Sequence, residues 1–330
     1  MAWLHNVLRV RLCALLLALV SITSTSAFAA DAYPSHQIRL IVPFEAGTYT
    51  DVVARMIATR LSQRLGGTVF VDNRPGAGGN IGTQQAAIAA PDGYTLLFTS
   101  IATHGINPSL YKNLSYDAQR DFIPLSLVMK VPNVVVVTPA LPVKTLGDLA
   151  NYARANPGKL SFASAGIGTS QHMTGELFNM LEKVKIQHIP YRGSQGALND
   201  LFAGRVQVSF QNLPSVLPYI NEGRLRALAI TSDTRNPLAP TIPTAAEAGL
   251  PGFVATSWSG AFVRTGTPAP IASRLTREIQ EIVRSPEMQD FFGKGGVLPV
   301  GSTSEEFRSF IATEIPKWKQ VVTSSGASLE

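Results

Sequence analysis

Three short stretches combine glycine with hydroxyl, aromatic and charged side chains. They are residues 43–51 (PFEAGTYTD), residues 164–170 (SAGIGTS) with His172 just beyond, and residues 190–196 (PYRGSQG). Each follows a short apolar run and precedes a segment of helical spacing, so each reads as a strand-to-helix loop. At such a point backbone N–H groups face outward and the helix dipole favours negative charge. Two of these loops brought face to face could hold a carboxylate with N–H and hydroxyl donors and no buried Lys or Arg. An ordinary helix cap accounts for any one of them equally well, because Gly admits positive φ and Ser, Thr or Asp satisfies the first N–H groups of a helix. Trp258 and Tyr191 could wall a pocket, or belong to the core.

Other chemistries lack their signatures. Residues 76–82 (GAGGNIG) do not fit G-x-G-x-x-G in register and follow Pro75, so they read as a turn. His104 and His172 have no paired-ligand spacing, which disfavours a metal, and His104 reads as a solvated or capping residue. There is no G-x-S-x-G, and no Ser, His and Asp stand in a known triad order. Ser164 or Ser170 with His172 could make an exported hydrolase, but no carboxylate is evident to orient the base. The sequence therefore predicts no catalytic residue, no cofactor and no metal.

The elements that would position the loops repeat a strand–helix grammar. Residues 37–43, 68–71 and 95–99 are strand-like, with helical spacing over 50–65 and 81–90. The pattern restarts with an apolar strand at 134–138 and a helix over 146–155 capped by Thr145. Strands at 160–163, 186–190 and 206–210 then alternate with helices over 171–182 and 194–203, as parallel βαβ units require. After a strand-like segment at 224–231 the chain becomes proline-rich and ends in two amphipathic helices, about 270–284 and 304–324. Having no sheet of their own, these should pack back on the first unit. That predicts an α/β chain of two lobes, the first discontinuous, with a ligand cleft between them.

The N-terminus reads as an export signal: Arg9 and Arg11, an apolar stretch over 12–22, and Ala27-Phe28-Ala29, with cleavage after Ala29 or Ala30. The stretch is too short to span a bilayer. Cys13, the single cysteine, would leave with it, excluding disulfide and thiol chemistry. Without Arg9 and Arg11 the basic residues number 26 against 22 acidic ones. That mild excess, scattered along the chain, does not suit nucleic acid.

Several strings, among them VDNRPGAGGNIGT, PDGYTLLFTS, SAGIGTSQHM and IPYRGSQGALNDLFAGRVQV, resemble the Bug family, the TctC-like periplasmic receptors of tripartite tricarboxylate transporters. The likeness runs in order along nearly all of the chain after residue 30. It implies a periplasmic-binding-protein fold of the second type, with residues 31–130 and 231–330 in one lobe and 131–230 in the other. It also implies a monomeric, non-enzymatic receptor that takes a small organic solute, most often a carboxylate, and works with membrane subunits of a tripartite tricarboxylate transporter. Presentation of the solute to a signalling partner is the alternative. The family's ligand loops fall on Phe44, Ala46, Gly47, Thr48 and Asp51, on Ser164, Gly168, Thr169 and His172, and on Tyr191 and Gly193, with Arg192 where lysine is frequent. Two departures stand out: Thr48 follows Gly47 where a second glycine is usual, and Glu45 occupies a commonly small, proline or apolar position. A Glu45 facing the cleft would repel a second carboxylate unless Arg192 offset it. The expected ligand is then a monocarboxylate, or one with an amine, amide or hydroxyl group for Glu45.

Overall fold

Strand β1 (Ile38–Val42) is a β-branched, largely buried run, as a strand covered on both faces must be. The computed structural model describes residues 33–330, so the expected export signal lies outside the described residues. From β1 the chain passes into helix α1 (Tyr49–Leu65), which buries Val53, Ile57 and Leu61 on one face and stops at Gly66 in the left-handed region. Strand β2 (Val69–Asn73) returns parallel to β1, with Ile38 opposite Val69. Helix α2 (Asn80–Ala87) leads to strand β3 (Thr95–Ser100), parallel to β1 on its other side. A π-helical turn (Ala102–Ile106) and the short helix α3 (Asn107–Leu110) follow.

Strand β4 (Phe122–Val137) is sixteen residues long. Beyond it come α4 (Leu146–Ala155), β5 (Ser161–Ser164), α5 (Ser170–Glu182), β6 (Gln187–Pro190), α6 (Ser194–Phe202), β7 (Val208–Asn212), α7 (Leu213–Asn221) and β8 (Arg226–Ile230). Thr145 caps α4 in a reciprocal pair with Asp148. Strand β9 (Thr256–Arg264), α8 (Ala269–Arg284), α9 (Pro286–Lys294), the two-residue β10 (Leu298–Pro299) and α10 (Ser304–Ser325) complete the chain.

The strands make one sheet in the order β2-β1-β3-β9-β4-β7-β5-β6, with β8 and β10 also on β4. The N-terminal half of β4 lies between β9 and β10, its C-terminal half between β7 and β8. Two wings thus share one strand. Where β4 passes between them, the Asn133 carbonyl accepts from Thr231 N (2.8 Å) and Thr231 Oγ1 (2.9 Å), and Ala255 N donates to Thr231 O (2.9 Å).

Sequence periodicity placed a strand only at 134–138. The ladder begins twelve residues earlier, across Pro124, Lys130 and Pro132, with register shifts against β9 at Pro124/Ser126, beside a residue that has no donor, and at Leu127/Met129. Strand β9 went unread because small residues interrupt it, and α7 because Pro214 and Pro218 mask it. The tail holds three helices where two were expected. Helix α10 packs on the shared strand β4, on α3 of the first wing and on α5 of the second.

Buried Glu314 joins α10 to β9: its carboxylate accepts from Trp258 Nε1 at 3.0 Å and Trp318 Nε1 at 2.9 Å, and it pairs with Lys317. Replacing Glu314 by Ala strands two buried indole N–H groups and should cost about 2–4 kcal/mol. Urea denaturation should show a lower midpoint, with Glu314→Gln, which keeps an acceptor, losing less.

Candidate functional site

A cavity of about 280 Å³ opens between the wings. The first wing supplies Phe44 and Glu45 from the loop after β1, Gly76, Gly78 and Gly79 from the turn after β2, and Ala102, Asn107 and Tyr111 from the segment after β3. The second wing supplies Ile167, Gly168 and Thr169 from the loop after β5. Larger surface hollows exist, one of about 630 Å³ beside α5 and α10, but it gathers none of these loops.

The glycine turn reaches the site because it has no side chains to keep it away. Gly78 and Gly79 have φ of 64° and 93°. A Cβ on Gly79 would lie 2.7 Å from Thr103 Cγ2 and 3.1 Å from the Phe44 ring, and one on Gly78 2.9 Å from the Tyr111 hydroxyl. Asn107 Nδ2 pins the turn by donating to Gly78 O (3.1 Å) and Asn80 Oδ1 (2.7 Å). Sequence reasoning read residues 76–82 as a turn without a site role and passed over Asn107 and Tyr111. The glycine density at a strand-to-helix junction was the available signal; the segment at 102–111 carried none.

In the first loop only Pro43, Phe44 and Glu45 line the cavity. Ala46, Gly47 and Thr48 are exposed, and Thr48 Oγ1 caps α1 by accepting from Asp51 N (3.3 Å). Buried Asp51 holds the loop from behind, accepting from Gly47 N (2.9 Å), Arg55 Nε (3.0 Å) and Asn73 Nδ2 (2.8 Å). Burial raises its pKa, but the hydrogen bonds from Arg55, Gly47 and Asn73 outweigh that and hold it below the usual carboxylate range.

In the second loop Thr169 caps α5, its Oγ1 accepting from His172 N (3.3 Å) and donating to Gly166 O (2.7 Å). His172 lies behind the loop, its Nδ1 accepting from Gly168 N at 3.2 Å. Its ring stacks on His188 with centroids 3.8 Å apart. His188 Nε2 shares a 2.6 Å hydrogen bond with Ser164 Oγ. Burial, with His188 adding to it, pushes His172 down to about 3, and burial pushes His188 down to about 4, so both rings are neutral near pH 7. The partner of Ser164 is therefore His188, and not His172 as the hydrolase alternative supposed. Fully buried Ser164 also bonds Gly166, which makes it a support of the loop.

The third loop lies beside the second, with Tyr191 N donating to Ser164 O and Gly193 N to Ala165 O, both at 3.1 Å. Tyr191 turns its hydroxyl to Asp200 (2.6 Å) and Arg192 is exposed; neither lines the cavity. Trp258 is fully buried in the core against Phe307. His104 corrects an expectation: it is neither solvated nor capping but wholly buried, stacked on Phe262 at 4.1 Å, with burial pushing it down to about 3.

The cavity wall thus has one charged side chain, Glu45, and no Lys, Arg or His. The α5 N-terminus borders it at its capping residue Thr169, and Tyr111 is part of the wall. An anion here would be held by neutral donors and a helix dipole.

Two outcomes follow. Gly168 has φ of 79°, and a Cβ there would lie 2.6 Å from Leu110 Cδ2 across the cavity. Gly168→Ala should cost about 2–4 kcal/mol, from backbone strain plus overpacking. Gly47→Ala, at φ of 83° with open space around it, should cost only the strain, about 1 kcal/mol; thermal denaturation compares the two. The second outcome concerns acid. His104, His172 and His188 bind protons in the unfolded chain near pH 6.5 but in the folded one only near 3 to 4. Stability must then fall as pH drops below about 6.5, with each histidine approaching ~1.4 kcal/mol per pH unit. Urea unfolding at pH 7, 6 and 5, above most carboxylate titration, measures this, and a flat profile would contradict it.

The model of the tripartite tricarboxylate transporter family receptor matches residues 53–327. Protein BugT of Bordetella pertussis is 42% identical over 302 residues, covering 91% of this chain and 93% of BugT. Among solved structures, R. palustris Rpa4515 with adipate superposes with a TM-score of 0.79 at 36% identity, covering 90% of this chain and all of that one. MatC from Rhodopseudomonas palustris with bound malate gives 0.76 at 32%, covering 88% and 100%. On this sequence match and this shared architecture, the chain belongs to the TctC family of tripartite tricarboxylate transporter receptors.

Proposed function

We propose that this chain is an extracytoplasmic receptor that captures a small organic carboxylate between its wings for uptake by a tripartite tricarboxylate transporter. The observation that carries the reading is a cavity walled from both wings by strand-to-helix loops, with Tyr111 and the α5 capping residue Thr169 among its lining. Adipate and malate in two related proteins suit the same chemistry. In this reading residues 1–30 are an export signal cleaved after Ala29 or Ala30, and the mature monomer works in the periplasm.

One lobe runs to about residue 132 and resumes at about 255, and 133–254 form the other: residues 239–245 pack on β8 and the second wing's core, so the return to the first lobe comes near 255 and not at 231. The hinge is the crossing of Asn133, Thr231 and Ala255. Ligand that touches both wings stabilises the closed state over the open one, and that difference drives closure. Membrane subunits would read the closed form. The chain acts by binding alone, since Ser164 and His188 are committed to holding the loop.

A thermal-shift screen over mono- and dicarboxylates tests this. A ligand at a hundred times its dissociation constant should add about 2.7 kcal/mol of stability. NMR of the bound compound should show it unchanged after incubation. Chemical turnover would replace the receptor reading with an enzymatic one, and the absence of any carboxylate hit would remove its chemistry.

A further inference from the structure

Glu45 is exposed, lines the cavity, and has neither a hydrogen bond nor an ion pair from its carboxylate. No cation on the cavity wall answers it: the nearest basic residue in sequence to the glycine turn, Arg74, is paired with Asp72 at 3.0 Å, and Arg192 lies on a loop outside the wall. Two aromatic rings share that wall, Phe44 beside Glu45 and Tyr111 across the glycine turn. Much of the remaining wall is apolar, with Pro43, Pro75, Ala102 and Ile167.

A carboxylate next to π faces in a mostly apolar hollow is chemistry that attracts a cation: the charges attract, and the ring quadrupoles add to the attraction. Fully hydrated dicarboxylates meet the opposite field. We infer that Glu45 selects a zwitterionic ligand, a carboxylate that also bears a cationic nitrogen, the carboxylate facing the α5 N-terminus at Thr169 and the nitrogen facing Glu45, Phe44 and Tyr111. This rests on the carboxylate-receptor reading and narrows it. Opposite charges about 5 Å apart at a wet protein surface change affinity by about tenfold or more, and like charges do the reverse.

The test uses ligand pairs that differ in charge and not in shape. Glycine betaine and 3,3-dimethylbutanoate are one such pair, a nitrogen replacing a carbon. Longer ω-trimethylammonio and ω-amino carboxylates, up to six carbons, are set against their neutral isosteres and against dicarboxylates of equal chain length. Calorimetry on the full mature chain and its Glu45→Gln and Glu45→Lys variants reads the preference. The expected result is a zwitterion preference of about tenfold or more in the native chain, its loss in Glu45→Gln, and a shift towards dicarboxylates in Glu45→Lys. The exposed position leaves folding intact, which equal melting temperatures of the unliganded variants verify. If neutral isosteres or dicarboxylates bind as tightly as zwitterions and the variants do not differ, Glu45 is no selector although the receptor reading stands. If no carboxylate of any class binds, both fall.

Discussion

Strand β4 is the constraint on which the rest depends. At about 3.3 Å per residue its sixteen residues run roughly 50 Å, and it is hydrogen-bonded on both edges through much of that length. Its first half belongs to the ladder of one wing and its second half to that of the other. Sliding or shearing one wing past the other would break this strand's bonds, and the passage at Pro132 and Asn133 is where one ladder hands over to the other. There the side chain of Asn133 is satisfied from the second wing, donating to Thr174 Oγ1 at 2.7 Å and accepting from Asn212 Nδ2 at 2.6 Å. The preceding residue, a proline, offers no donor to the ladder.

The cavity follows from the same topology. Parallel strands β1, β2 and β3 in one wing and β5 in the other end at loops that enter the cavity, and the loop after β6 supports the last of them. Ligands in open α/β sheets collect outside the carboxyl ends of strands, where helices begin and their N–H groups point outward. Each wing offers such an end, and β4 sets their spacing. Glycine then decides how near the walls come. Gly79 lets the turn press on Phe44 in one wing, and Gly168 lets the second loop meet Leu110 across the gap. A methyl group at either place would lie less than 3 Å from a neighbouring side chain.

How much of this could be read from the chain alone depended on the range of the interactions. The loops after β1 and β5 were legible, since a strand, a glycine and a capping hydroxyl are local patterns, and Thr48, Thr145 and Thr169 cap the helices that periodicity placed. Which residues of those loops face inward was not legible. Asp51 carries the type of a ligand and the position of a buttress, and only the arrival of Asn73 from β2 decides between them. Asn107 and Tyr111 sit in a segment with no regular period, brought to the cavity by β3. The repeated strand–helix pattern already implied the two wings, but β9, which joins β3 to β4, stayed hidden because its small residues hide its alternation. His104 was misread for a related reason: a lone histidine gives no sign that Tyr116, Phe122 and Phe262 will surround it.

Burial of the histidines has a consequence for charge as well as for stability. His172 and His188 stand directly behind the second loop, close enough to hold Gly168 and Ser164 by hydrogen bonds. Were either protonated near neutral pH, a full positive charge would sit under the cavity floor in a low-dielectric setting and would attract any anion regardless of shape. Burial keeps both neutral, pushing His172 down to about 3 and His188 to about 4. The loop therefore gains a polar support without a fixed charge. What field the cavity has comes from the N-terminal partial charge of α5 and from the carboxylate of Glu45, which pull in opposite senses at different places on the wall. Partial charges of that size attract a carboxylate modestly and release it without breaking an ion pair. A receptor that must give up its solute is better served by such donors than by a buried arginine.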